Sequence, residues 1–475
     1  MSATDGAIAA NRFGFGARPG DLARLGSQAR DAVVAQLRAA PPLIEEDLPA
    51  SHELLARVIA ERDALRSANQ RPPAPQQQDP SGSSPAAGTV NVLRAARALR
   101  EIYQPAYQAD VGARSRAAIL RENDFLERLV FFWSNHFAVS VDKRAVLGLA
   151  GAMEREAIRP HVLGNFADML LAVERHPAML LYLDNQQSIG PNSQAAQLAG
   201  RRGRALGLNE NLGREILELH TLGVDGKYTQ SDVQALAAMI TGWSIGGDGG
   251  RLRGGEPGRF FFREAFHEPG ARSLLGRRYA EDGIAQGEAG LRALAVNPHT
   301  ARHLAMKLAR HFVADEPPAA LVDRLTRAYL DAQGDLPATY RALIESPEAW
   351  RVPLAKFKTP TEYVLSTYRA LSLPFASDKD LRVFELLGQR SFQPGSPAGW
   401  PDRSADWDGS AALLKRLEWA QELGQRLGSS RDAQQLAAAS LGASLSAGTH
   451  EAVARAQDGA QALTLLLASP EFMRR

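Results

Sequence analysis

The 475-residue chain is 45% hydrophobic and 23% charged, a globular balance with enough apolar material for a sizeable core. Its formal net charge of +2, from 55 basic and 53 acidic residues, supplies no bulk field for nucleic acid or an anionic membrane. It has no Cys, which excludes disulfides, thiolate metal sites, iron–sulfur clusters and a cysteine nucleophile.

From residue 21 to 66, apolar residues recur at three- and four-residue spacing (Leu22, Leu25, Val33, Leu37, then Leu54, Leu55, Val58, Ile59), which predicts helices. The stretch 68–88 is Pro, Gln and Ser with few apolar residues. It buries too little to offset its ordering entropy and is expected to be a mobile loop. Helical patterning resumes at Val90, so the loop is read as lying inside one domain, 1–475. Residues 112–137 form a helix whose end, Leu129-Val130-Phe131-Phe132-Trp133, is apolar all round and so should be central. No apolar run approaches the ~18 residues that cross a bilayer.

A further helix is predicted from Pro160 to Leu183, then a Gly- and Ser-rich loop insertion, 186–207, and helices over 210–222 and 230–242. A second loop insertion, 246–258, leads into Phe260-Phe261-Phe262, the best strand candidate. Helical spacing returns from 282 to 372, with Pro298, Pro317, Pro347 and Pro360 at helix starts, where a missing N–H costs nothing. Residues 387–405 are loop-like, and the C-terminal part is Ala- and Leu-rich helix. The fold class read from this pattern is all-α: a large single-domain multi-helix bundle with at most one small hairpin near 258–265. No basic segment followed by an apolar stretch opens the sequence, so a cytoplasmic location is the default expectation.

The most informative block is Asn209-Glu210-Asn211-Leu212-Gly213-Arg214-Glu215-Ile216-Leu217-Glu218-Leu219-His220. On an α-helix Asn211, Glu215 and Glu218 fall within about 60° of one another, Arg214 borders them, and His220 points away. Two carboxylates at i,i+3 can converge on a hard cation or divide into one raised and one ordinary carboxyl group. The plainer reading is an Arg214–Glu218 ion pair on a solvated face.

His136, in Trp133-Ser134-Asn135-His136-Phe137, lies on an apolar stripe and is either a satisfied core histidine or a metal ligand or base. His299 and His303 have the i,i+4 spacing of a metal pair, but Arg302 and Arg310 make that face basic and argue against a cation. His267 stands in a loop after the aromatic run. Asp184 ends a helix, where a carboxylate opposes the dipole and wants a cation. Phosphate-loop, dinucleotide, nucleophile-elbow and zincin motifs are absent.

Together these blocks resemble the large bacterial domain-of-unknown-function family numbered eighteen hundred. The resemblance rests on Asn11 to Gly16, Trp133 to Phe137, Pro177 to Asn185, Asn209 to Gly223, Tyr228-Thr229-Gln230, Thr241-Gly242-Trp243, His267, Pro298 to Ala301, Lys358-Thr359-Pro360 and Gly399-Trp400. It implies a mostly helical domain with no established activity. It also implies relatives exported by leader peptides, which leaves a periplasmic location open, and a sulfatase-like companion family as a partner. Trp133, His136, Asn209, Glu210, Asn211, Arg214, Glu215, Glu218, His220, Thr241, Trp243 and His267 belong to the motif skeleton. Ala235 and Ala238 stand where relatives tend to carry Glu and Arg.

Three functions compete. The first is a metal-dependent enzyme, hydrolase or oxidoreductase, with Glu215, Glu218 and one or more of His136, His220 and His267 holding Fe, Mn or Zn. The second is a metal-free site in which Glu215 and Glu218 exchange a proton beside Arg214. The third is a non-enzymatic helical binding or scaffold protein whose polar core is structural.

Overall fold

The computed structural model describes residues 3–70, 87–203, 206–247 and 254–475. It is 62% helical with two small antiparallel strand pairs, so the mostly all-α class holds. Among the described residues, no helix is long and apolar enough to cross a membrane. The helix starts follow the sequence closely. Thr229 and Thr359 each close a capping box, with Asp232 and Glu362 respectively. Pro298 and Pro360 are the first residues of their helices.

The helix Asp124–His136 is central, as its apolar end requires. Phe125, Leu126, Leu129, Val130 and Trp133 are all fully buried. Trp133 packs against Phe137 and Phe166 and donates its indole N–H to the Tyr340 hydroxyl at 2.6 Å. Fully burying one such side chain contributes on the order of 3 kcal/mol, and the hydrogen bond removes the penalty of an unpaired indole.

The aromatic run pairs as expected: β2 (Phe260–Phe262) lies antiparallel to β1 (Trp243–Ile245), with Trp243 opposite Phe262. The expectation of at most one hairpin is corrected by a second pair, β3 (Arg272–Leu274) with β4 (Arg277–Tyr279). Its two connecting residues, Leu275 (φ 49) and Gly276 (φ 76), are both left-handed, as a type I′ turn demands. A leucine in the first turn position hides this hairpin from sequence reading. Here Leu275 is held by its backbone N–H, which donates to Asp232 Oδ1 at 2.7 Å.

Two of the expected loops are partly helical. Within 186–207, Ser193 caps a helix over Gln194–Gly200. Of the stretch 68–88, residues 71–86 lie outside the described residues, and its flanks belong to the helices Ser51–Gln70 and Ala87–Leu120. Residues 248–253 of the 246–258 insertion also lie outside the described residues.

The Asn209–His220 block departs from ideal α geometry. Asn211–Glu215 is α-helical, and Ile216–His220 continues as a π-turn. The wider turn re-aims the residues after Glu215, and the Thr221 hydroxyl donates to Ile216 O at 2.6 Å where the ladder is disturbed. His220, opposite the exposed Asn211 as the spacing predicts, points into the core and is fully buried.

Candidate functional site

The half-exposed side of the polar helix is a set of local pairs. Asn209 donates through Nδ2 to Leu183 O (3.2 Å) and Asp184 O (3.1 Å), while its Oδ1 accepts from Asn211 N at 3.0 Å, which fixes the start of the helix. Asp184 has its cation, Lys143, at 2.6 Å. The expected Arg214–Glu218 pair does not form. Arg214 reaches back to Glu210 at 3.1 Å and to Gln230 Oε1 at 2.9 Å. Glu218 accepts instead from the Tyr228 hydroxyl at 3.3 Å. Burial raises the Glu215 carboxyl above its ordinary range, and Glu218 adds to the shift. Asn211 is exposed.

Beneath that face lies a buried imidazole cluster. His220 donates through Nδ1 to Glu174 Oε1 at 2.7 Å, and both side chains are inaccessible to solvent. His136 Nε2 donates to His220 O at 3.1 Å, so the two sequence blocks do meet. His303, from the basic face of the Pro298–Phe312 helix, is half-buried and donates through Nε2 to Leu219 O at 3.2 Å, whereas its sequence partner His299 is exposed. The His136 ring lies 6.2 Å, centre to centre, from those of both His220 and His303. Burial pushes the His136 imidazole well below its ordinary value and that of His303 down to about 4. His136 Nδ1, His220 Nε2 and Glu174 Oε2 have no protein partner, the arrangement that ordered internal water satisfies.

The candidate metal ligands do not fit a metal ion. Among the described residues, no three His, Cys, Asp or Glu side chains come together as a cation requires. The candidate set divides instead. Glu215 and Glu218 are half-exposed, whereas His136 and His220 are buried in the core, each bonded through one ring nitrogen. His267 points its Nδ1 at Thr241, 3.1 Å from the carbonyl oxygen and 3.3 Å from the hydroxyl, on the β1–β2 side of the molecule. Trp243 is fully buried under Arg175, whose guanidinium lies 5.2 Å from the indole centre.

Another site was not singled out from the sequence. A cavity of about 90 Å³ lies between the Asp124–His136 helix, the start of the Pro360–Ala370 helix and the loop 387–402. Arg128, Ser134, His311, Glu362, Arg390 and Trp400 line it, and the partly exposed Trp400 and exposed Pro401 stand at its rim. That volume holds a few waters or one small ligand group.

The cavity wall is heavily charged. Glu362 accepts from Thr359 N at 2.8 Å in its capping box, lies 2.8 Å from Arg475 Nε and pairs with Arg128. Burial opposes the Glu362 charge, but Arg475 and Arg128 outweigh it and hold the carboxyl down at about 2. Asp402 sits 3.4 Å from His311 Nδ1, 3.5 Å from Lys356 Nζ and 3.6 Å from Arg475 Nη2. Against the cost of burial, His311 and these cations keep it well below the usual carboxylate range. Burial drives the His311 imidazole down to about 4, so it is neutral at pH 7, and its Nε2 has no protein partner.

Three segments that carry the family resemblance meet at this cavity. Trp133 to Phe137 supplies Ser134 and Asn135, Lys358 to Pro360 opens the helix bearing Glu362, and Gly399-Trp400 delivers Asp402. Read singly, none signalled a site. His311 lies in an ordinary amphipathic helix, Pro298–Phe312, whose spacing does not distinguish it.

No curated protein and no solved structure matches the chain. With the fold and cavity described, the sequence match is decisive at the level of family: the model of the family described as "Protein of unknown function (DUF1800)" covers residues 8–474, and the chain belongs to that family.

Proposed function

We propose that the protein is a metal-independent enzyme whose cavity places a substrate hydroxyl or water against His311 Nε2. The observation that carries this reading is the His311–Asp402 pair. The neutral imidazole lines the cavity, its buried Nε2 has no protein partner, and a carboxylate stands 3.4 Å from its other nitrogen. Nε2 takes the proton, Asp402 stabilises the resulting imidazolium, and the contact shortens as charge develops. Packing against Phe132 and Phe312, at 5.3 and 4.9 Å between ring centres, holds the imidazole plane.

The test is acylation by diethyl pyrocarbonate, which attacks an accessible neutral imidazole, followed by peptide mapping. His311 is expected to react in the folded protein and His136 and His220 not to react. A His311 that stays inert until the protein unfolds overturns the proposal.

The non-enzymatic reading of the polar core is favoured for one part of the molecule. Glu174, His220 and His136 are at most 1% exposed and have no path to substrate, so we assign them to holding the helices in register. The sulfatase-like companion stands as a proposal supported by the family resemblance alone, and co-purification with such a protein tests it.

A further inference from the structure

A surface groove of about 550 Å³ adjoins the cavity and shares Arg390 with it. Arg97, Arg100 and Arg144 also line this groove, against a single carboxylate, Asp142. Arg97 is paired with Glu101 at 2.7 Å. Asp142 is engaged by the Gln393 amide and by the Ser140 hydroxyl, the latter at 3.3 Å. Among the described residues, no carboxylate lies within ion-pair distance of Arg100, Arg144 or Arg390. Three guanidinium groups with no carboxylate partner, of which Arg390 lies over the Tyr107 ring at 5.5 Å, form a local field in a chain whose net charge is close to neutral.

The cavity continues this pattern. Its two carboxylates, Glu362 and Asp402, are already answered from behind by Arg475, which lies 2.8 and 3.6 Å from them. Arg128 is 1% exposed and has an unpartnered Nε. Arg114 stacks between Phe131 and Phe392, its guanidinium carbon 3.6 and 4.6 Å from their ring centres. Arg114 is itself ion-paired with Glu154 at 2.7 Å, which leaves Arg128 Nε and the Arg390 guanidinium as the cavity's cationic donors without a carboxylate.

We propose that the substrate of this cavity carries an oxyanion (carboxylate, sulfate or phosphate) that approaches along the Arg100–Arg144 groove and is held at Arg390. This rests on the reading of the cavity as the enzyme's site and adds the class of molecule it takes. Planar guanidinium groups recognise such oxygens through paired N–H donors. The small cavity admits one head group or reacting group, and the groove takes the remainder of the molecule.

The experiment is calorimetric titration of the full chain with inorganic phosphate, inorganic sulfate and acetate, at ionic strength matched with chloride. At least one is expected to bind saturably where chloride does not, which identifies the oxyanion. Arg390→Gln should weaken that binding about tenfold, and Arg144→Gln should weaken it less while flattening its salt dependence. If Arg390→Gln does not fold, the Arg144→Gln arm decides. Binding no better than chloride for all three anions, or binding indifferent to both substitutions, overturns the inference.

His311→Asn separates the two proposals, since it should leave anion binding intact. An inert His311 with Arg390-dependent anion binding overturns the proton acceptor and spares the anion site. A reactive His311 with no anion binding does the reverse.

Discussion

Asn135 grips both edges of the Trp400 peptide: its Nδ2 donates to Trp400 O at 2.9 Å, and its Oδ1 accepts from Trp400 N at 2.7 Å. One amide side chain thus does for the loop 387–402 what a neighbouring strand would do. Gly399 is required beside it, because at φ +84 an added Cβ would collide with Asn135.

Asn135→Ala is therefore expected to release the loop without unfolding the core. Loss of two hydrogen bonds costs about 1–3 kcal/mol at most, since the freed peptide can reach water. Hydrogen exchange should quicken at residues 396–402 and stay slow in the Asp124–His136 helix. Uniform quickening across both would contradict this account.

Arg128→Met is expected to be among the most destabilising single changes. Arg128 is 1% exposed, donates to Gly14 O at 2.7 Å and pairs with Glu362. Removing one partner of a buried pair costs roughly 3–5 kcal/mol, because the other charge stays buried. Urea unfolding measures it, and Glu362→Met in the same chain should restore part of the loss.

Acidification should weaken the fold through its buried imidazoles. His136, His303 and His311 all have imidazoles pushed below their ordinary value by burial, the last two to about 4. The unfolded chain therefore binds protons first. Stability is intact above about pH 6.5 and is lost as pH falls from there toward 4, on the order of 1 kcal/mol per pH unit for each group. Glu362, at about 2, acts only below that window. A urea midpoint that is flat between pH 6.5 and 4.5 would be incompatible with three neutral buried histidines.

Glu215→Gln should leave metal content unchanged and raise stability at pH 7 by no more than about 1 kcal/mol. Burial and Glu218 both disfavour its charge, so a raised carboxyl loses little on neutralisation. Elemental analysis of chelator-free wild-type and variant protein decides the matter. Loss of a stoichiometric metal in the variant would reinstate the metal site first read from the i,i+3 carboxylates.

Periodicity made most of the helices legible, and the run Phe260–Phe262, which follows a Gly-rich segment, was legible as a strand. What stayed hidden was geometry that breaks the period. The π-turn at Ile216–His220 is one such break, although His220 still falls on the buried face opposite Asn211, against Glu174. An even advance of about 100° per residue cannot anticipate the turn itself. The Arg214 pairing was misjudged for a similar reason: two acidic residues, Glu210 and Glu218, are equally spaced from it, and Gln230 on the next helix tips the choice to Glu210. The cavity was illegible residue by residue, because Arg128, His311, Glu362 and Arg390 come from four separate segments.

That dispersal has a consequence for how the chain acquires its shape. The cavity wall is held by a tie between distant parts of the sequence, Asn135 to Trp400 across 265 positions, and the fold around it by others, Arg12 to Ala349 across 337 and Lys358 to Asn11 across 347. Closing spans of that length is entropically slow, whereas the His220–Glu174 contact spans 46. During synthesis the imidazole core can consolidate as soon as the first two-thirds of the chain has emerged. The cavity must wait for the Trp400 loop, so each nascent molecule passes through a stage that is folded at its centre and has no site.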